Sequence, residues 1–87
     1  MDWQRLDKFL WCARFASQRE ACSRLAEAGL VRINGLRTDK AHARVRVDDV
    51  LTVPLAAGVC VIRVRVLPER RGPASEAHTL YELLPAP

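Results

Sequence analysis

The residues with most chemistry to offer are the cations. Residues 1 to 47 hold ten Lys plus Arg against five acids, and residues 48 to 87 hold four against five, which accounts for the 14 cations and 10 acids of the 87-residue chain. Twelve of the fourteen cations are Arg, whose planar fork suits phosphate and can stack on bases, although a GC-rich genome also favours Arg codons. The densest run is GLVRINGLRTDKAHARVR at residues 29 to 46, where Arg32, Arg37, Lys40, Arg44 and Arg46 follow one another closely. A net charge of +4 gathered in one half of a small chain suits the neutralisation of a polyanion.

Other chemistries find less material. Cys12, Cys22 and Cys60 are odd in number, lie in apolar surroundings and show no C-x-x-C spacing, so neither a disulfide framework nor a metal site is expected and all three read as buried thiols. His42 and His78 are isolated and read as surface or loop residues. With no nucleophile–base pair, no metal-ligand spacing and no glycine-rich phosphate loop, the chain is expected to act by binding, without catalysis and without a cofactor. A hydrophobic content of 49% with 28% charged residues fits a folded soluble domain, and no apolar run approaches the roughly 18 residues of a membrane span. A chain of this length buries only about 60 to 65% of its unfolded surface, so a large catalytic cleft is not expected. The start, MDWQRLDKFLW, carries Asp2 and Asp7 among its basic residues and does not read as a secretory signal, which makes the cytoplasm the expected location.

Periodicity and punctuation indicate the elements that must position the cations. Trp3, Leu6, Phe9, Leu10 and Ala13 recur at helical spacing and predict an amphipathic first helix over about residues 3 to 14, with Arg5 and Lys8 sharing a face off the apolar stripe. Ser17 and Glu20 in SQRE form a capping-box pattern that starts a second helix at about residue 18; Ala21, Cys22, Leu25 and Ala26 supply its stripe and Gly29 its left-handed end. The period then changes to two. Val31 and Ile33 alternate with Arg32, Asn34-Gly35 is a hairpin turn, and Leu36 to Thr38 is the return strand. The segment DKAHARV reads as a loop, RVDDVLTVP as an extended piece with an acidic turn at Asp48-Asp49, and VCVIRVRVL as a half-buried strand after a turn at Ala56 to Gly58. Beyond Pro68 a helical stripe of Ala77, Leu80, Tyr81 and Leu84 is expected, ended by Pro85-Ala86-Pro87. The predicted class is α+β: two N-terminal helices packed on a small, mainly antiparallel sheet, followed by a short C-terminal helix. Residues 1 to 67 are expected to form the domain, with 68 to 87 as a turn and helix packed on it.

At this point the residues carry a resemblance. RLDKFLW at 5 to 11, SQREA at 17 to 21, GLVRINGLR at 29 to 37 and VDDVL at 47 to 51 resemble the RNA-binding domain first known from ribosomal small-subunit protein S-four. The core of that family, the alpha-L motif, is two helices followed by a hairpin with an Asn-Gly turn. The segment ERRGPASEAHTLYE at 69 to 82 is similar to the segment that follows the domain in the bacterial fifteen-kilodalton heat-shock protein family. That resemblance implies a ribosome-associated protein that binds free large subunits still carrying peptidyl-tRNA. The sequence departs from the heat-shock family by ending at Pro87, without the long basic extension, and weaker binding is expected for that reason.

The resemblance implies structured RNA as the partner, namely rRNA of the large subunit, with no membrane and little or no DNA preference. Arg5 and Lys8 coincide with the family's RLDK positions. Arg19 sits in the first turn of helix two, where a cation is unfavourable unless an anion faces it. Arg14 and Arg24 are candidates with structural alternatives, a helix C-terminal dipole for the first and a Glu20 pair for the second. Arg32, Asn34 and Arg37 belong to the hairpin, and Lys40 and Arg44 extend the surface if their loop folds alongside. Asp7 is expected to hold a basic neighbour. Arg63, Arg65, Arg70 and Arg71 are expected to cover the outer face of a strand and the turn after it, while Trp11 and Phe15 read as core side chains that could instead stack on bases. Contact with phosphates releases counterions, and the narrow major groove of A-form RNA leaves shape as the recognised feature. Three rivals are weighed: a catalytic RNA-modifying enzyme, for which there is no room; a helix-turn-helix DNA binder, whose recognition helix REACSRLAEA is too small and too acidic; and a protein-interaction module using the C-terminal helix.

Overall fold

Residues 2 to 85 are described by the computed structural model; the expected termination at Ala86 and Pro87 lies outside them. The chain runs β1 (Gln4–Arg5), α1 (Leu6–Cys12), α2 (Arg19–Glu27), β2 (Val31–Ile33), β3 (Leu36–Thr38), β4 (Arg44–Val45), β5 (Val50–Leu55), β6 (Gly58–Val64), α3 (Ala74–Ala77) and β7 (Tyr81–Leu84). The fold is α+β, with the N-terminal helix pair lying on a five-stranded antiparallel sheet of order β3-β2-β5-β6-β7 and a separate two-stranded ladder joining β1 to β4. Among the described residues no helix is long and apolar enough to cross a membrane.

The first helix starts later than its periodicity suggests. Gln4 and Arg5 are drawn into extended pairing with Val45 and Arg44, and the first free N–H groups of α1 find partners in the same loop: Leu6 N donates to Ala43 O at 2.8 Å and Asp7 N to Ala41 O at 3.0 Å. A helix leaves its first N–H groups without internal acceptors, so the 39-to-45 segment acts as the cap and is fixed against α1. At the other end Arg14 N donates to Trp11 O and Phe15 N to Leu10 O, with Arg14 at φ 65°. That is a Schellman motif closed by an arginine where glycine is the usual choice. The second helix begins at Arg19 with Gln18 as its flanking residue and no side-chain cap, so the Ser17–Glu20 capping box does not form. Gly29 is left-handed at φ 75°, as expected.

Leu6, Phe9 and Leu10 of α1, Cys22 and Ala26 of α2, and Val31, Val45, Leu51, Val53, Ile62 and Val64 of the strands form one buried cluster. Opposite-facing positions alternate along β5 and β6, so Leu51 pairs with Ile62 on the core side while Val50 pairs with Arg63 on the outer side. The hairpin turn has Asn34 at φ 53° and Gly35 at φ 82°, the two positive angles of a type I′ turn. Its Asn34 is further latched to the start of β5, as Val50 N donates to Oδ1 at 2.9 Å and Nδ2 donates to Asp49 Oδ1 at 3.0 Å.

The C-terminal segment departs from the helical reading. Only Ala74–Ala77 is helical; Ala77 and Leu80 are buried, and Tyr81–Leu84 straightens to pair antiparallel with Val64–Val61. The free edge of β6 offers a full row of backbone partners, which outweighs the local spacing for a Tyr-Leu-rich segment that is equally suited to a strand. Before that, residues 68 to 73 are strapped to the end of α1. Arg71 donates from Nε to Trp11 O at 3.0 Å and from Nη2 to Ala16 O at 3.3 Å, and Arg14 donates in return to Gly72 O at 2.8 Å.

Candidate nucleic-acid interface

Asp7 organises the cations of the first helix. Its carboxylate is 3% exposed and accepts from Arg5 through both Nε and Nη2 at 3.1 Å, from Ser23 Oγ at 3.0 Å and from Lys8 N at 2.8 Å. Arg19 Nη2 lies 3.5 Å from the same group. Burial pushes the Asp7 carboxyl up, but the hydrogen bonds from Arg5 and Ser23 and the charges of Arg19 and Arg5 outweigh it and hold the group below its ordinary value. One carboxylate thus fixes two guanidinium groups whose side chains remain 50% and 42% exposed. The positions of Arg5 and Arg19 are set by an anion beneath them, while their outer faces stay in water.

The loop that caps α1 brings Arg44 to this place. Arg44 is the cross-strand partner of Arg5, and its guanidinium carbon lies 4.5 Å from the Trp3 ring centroid. Arg5, Lys8, Arg19 and Arg44 therefore gather around the start of α1, with the Asp7 carboxylate buried beneath Arg5 and Arg19. Trp3, which helical spacing assigns to the core stripe, is half-buried beside this patch. Its recruitment depends on the β1–β4 ladder, for which the two-residue strands leave no periodic signal.

The remaining candidates divide. Arg32 and Arg37 are direct partners across the β2–β3 hairpin and both are exposed; the Arg37 guanidinium also lies over Gly29, where a Cβ would come within 2.7 Å of Nη2. Asn34, exposed at the hairpin tip, holds the turn: its amide donates to Asp49 and accepts from Val50 N. Lys40 pairs with Asp39 at 3.5 Å on the exposed loop. Arg24 is exposed, and the expected Glu20–Arg24 pair is not among the ion pairs of the described residues. Arg14 is turned to the Gly72 carbonyl, away from the helix-end role its position suggests. Arg63 and Arg65 share Glu82, at 3.6 and 3.1 Å, at the far edge of the sheet from the hairpin. Arg71 is spent on the α1 strap and lies 5.1 Å from the Trp11 ring centroid; it does not face out from a turn. Trp11 and Phe15 pack against the core cluster. Burial raises the Cys12, Cys22 and Cys60 thiols above their ordinary value, consistent with inert packing side chains.

Comparison with known proteins identifies the family and the fold. A family model described as S4 domain matches residues 4–51, the span from β1 into β5. The chain is 40% identical over 78 residues, 90% of its length, to heat shock protein 15 of Escherichia coli K12, and 36% identical over 72 residues to small ribosomal subunit protein uS4 of Erythrobacter litoralis. It spans 58% of the former relative and 35% of the latter. Among solved structures, the trimeric structure of Vibrio cholerae heat shock protein 15 superposes with a TM-score of 0.88 at 31% identity, covering 95% of this chain and 83% of that one. The motifs around Asp7, the hairpin and the sheet beneath them place this chain in the S4 domain family, beside heat shock protein 15.

Proposed function

We propose that the chain is a non-catalytic protein that binds structured RNA through the patch of Arg5, Lys8, Arg19 and Arg44, extended by Arg32 and Arg37, and that its target is rRNA of the large ribosomal subunit, in ribosome rescue or the heat-shock response. The observation that carries this reading is the placement of like charges. Arg5 stands opposite Arg44, and Arg32 opposite Arg37, an arrangement that weakens a ladder unless an anion relieves it. Phosphates supply that anion in series. Membership of the S4 domain family supports RNA as its source, and the likeness to heat shock protein 15 supports a ribosomal one.

Electrostatic capture of this kind has a measurable signature. If about five phosphates are neutralised, the slope of log affinity against log salt for a folded RNA should lie near −3 to −5. Titration against a structured RNA and a DNA duplex at equal salt tests it, with tighter binding to the RNA expected; a flat response, or a preference for DNA, overturns the reading. Sedimentation of lysate at low salt then tests the target. Co-migration with free large subunits is the expected result, and migration with small subunits or only at the top of the gradient rejects the large-subunit assignment.

A further inference from the structure

Beside the cation patch lies an open groove of about 560 Å³, lined by Trp3, Gln4, Arg5 and Lys8 on one side and Leu67, Pro68 and Glu69 on the other. Its volume falls in the range of small-molecule sites. Gln4 ties the walls together: its Nε2 donates to the Pro68 carbonyl, which leaves Oε1 as a buried acceptor with no donor among the described residues. The aromatic wall is steadied from one side, since the Arg44 guanidinium lies over the Trp3 ring. The two cations, Arg5 and Lys8, and the carboxylate, Glu69, come to the groove from different segments of the chain.

We propose that this groove receives one unpaired nucleotide of the bound RNA, with its base against the Trp3 indole and its phosphate at Arg5 and Lys8. The inference rests on the RNA-binding reading and adds a stacking site to it. A polyanion patch alone needs neither an indole nor a groove. Bases extruded from a helix are read by stacking on aromatic side chains, and every base has a face that can stack. The charge distribution sets the orientation: Glu69 repels phosphate and favours the base end, whose N–H donors it can accept, while Arg5 and Lys8 favour the phosphate end.

The test compares two RNA hairpins that differ only by one unpaired 2-aminopurine in the stem, titrated against the full chain and its Trp3→Ala and Trp3→Phe variants. The wild-type chain should prefer the bulged hairpin by about five-fold or more, with quenching of 2-aminopurine fluorescence. Trp3→Ala should bring that ratio close to one, and Trp3→Phe, which keeps an aromatic face, should retain most of it. A wild-type ratio of one, or an unchanged ratio in a Trp3→Ala variant whose circular dichroism shows it folded, overturns the groove while leaving RNA binding in place. Failure of the wild-type chain to bind either hairpin overturns the RNA reading and the groove together.

Discussion

Arg5 and Arg44 stand directly opposite each other in the β1–β4 ladder, and Asp7 compensates only the first of them. A cross-strand pair of like charges is mildly destabilising, while the cation–π contact of Arg44 with Trp3 returns a similar amount. Arg44→Ala should therefore change stability by no more than about 0.5 kcal/mol, yet weaken RNA binding and make the salt slope shallower by about one. Urea melts and salt titrations of the same preparation check both halves. A large stability loss with an unchanged slope would show Arg44 to be structural.

Asp7 makes stability depend on acid. The unfolded group titrates near 3.8 and the folded one lower, so its contribution is fully present above about pH 4 and is lost as pH falls through the folded value. The hydrogen bonds from Arg5 and Ser23 carry most of it, and the charges themselves add little, because both guanidinium groups keep much of their surface in water. Asp7→Asn should cost about 1 to 2 kcal/mol at pH 7, and the gap to the wild-type chain should narrow below pH 4. Thermal melts between pH 7 and 2.5 decide it: a gap constant with pH removes the carboxylate from the account.

Asn34 was a candidate contact by sequence and a turn latch by structure. Asn34→Ala removes two side-chain hydrogen bonds, to Asp49 and Val50, and the residue type best suited to φ 53°. The expected loss is about 1 to 2 kcal/mol of stability, with the salt slope of RNA binding unchanged. A shallower slope in a folded variant would return the amide to the interface.

How much of this was legible in the residues depended on range. The Asn34-Gly35 turn, the left-handed Gly29, the buried stripe of α2 and the alternation of Ile62 and Val64 with Arg63 in β6 are set by neighbours within a few positions, and the structure has them where the sequence implies, whereas Val66, expected to continue that face, lies beyond β6 and is exposed. The ordered motifs from Arg5 to Leu51 likewise led to the family. What sequence missed is set across the chain. Periodicity puts Gln4 and Arg5 inside a helix because the pairing partners that hold them extended, Val45 and Arg44, are about forty positions away. It read Tyr81 to Leu84 as helix because the open edge of β6 is invisible from the segment itself. Arg71 looked like surface charge because its acceptors, the Trp11 and Ala16 carbonyls, belong to a helix end at the other terminus. Asp7 was read as a structural residue holding a cation, and the structure adds that it holds two.

Gly29 joins the helix pair to the hairpin, and its substitution separates backbone cost from side-chain cost. At φ 75° an L side chain is strained, by roughly 1 to 2 kcal/mol, and a methyl group there would come within 2.7 Å of Arg37 Nη2. The tip of an arginine can swing aside cheaply, so the stability loss of Gly29→Ala should be that backbone cost and little more. The guanidinium displaced from Gly29, however, takes a new direction on the hairpin. RNA affinity should consequently fall beyond what Arg37→Ala alone produces only if Gly29→Ala also shifts the hairpin. Equal losses in the two variants, each measured at a temperature where both are folded, are the expected result. They would place the contribution of this position in the aim of Arg37, whereas an undiminished affinity in Gly29→Ala would remove the β2–β3 cation pair from the interface.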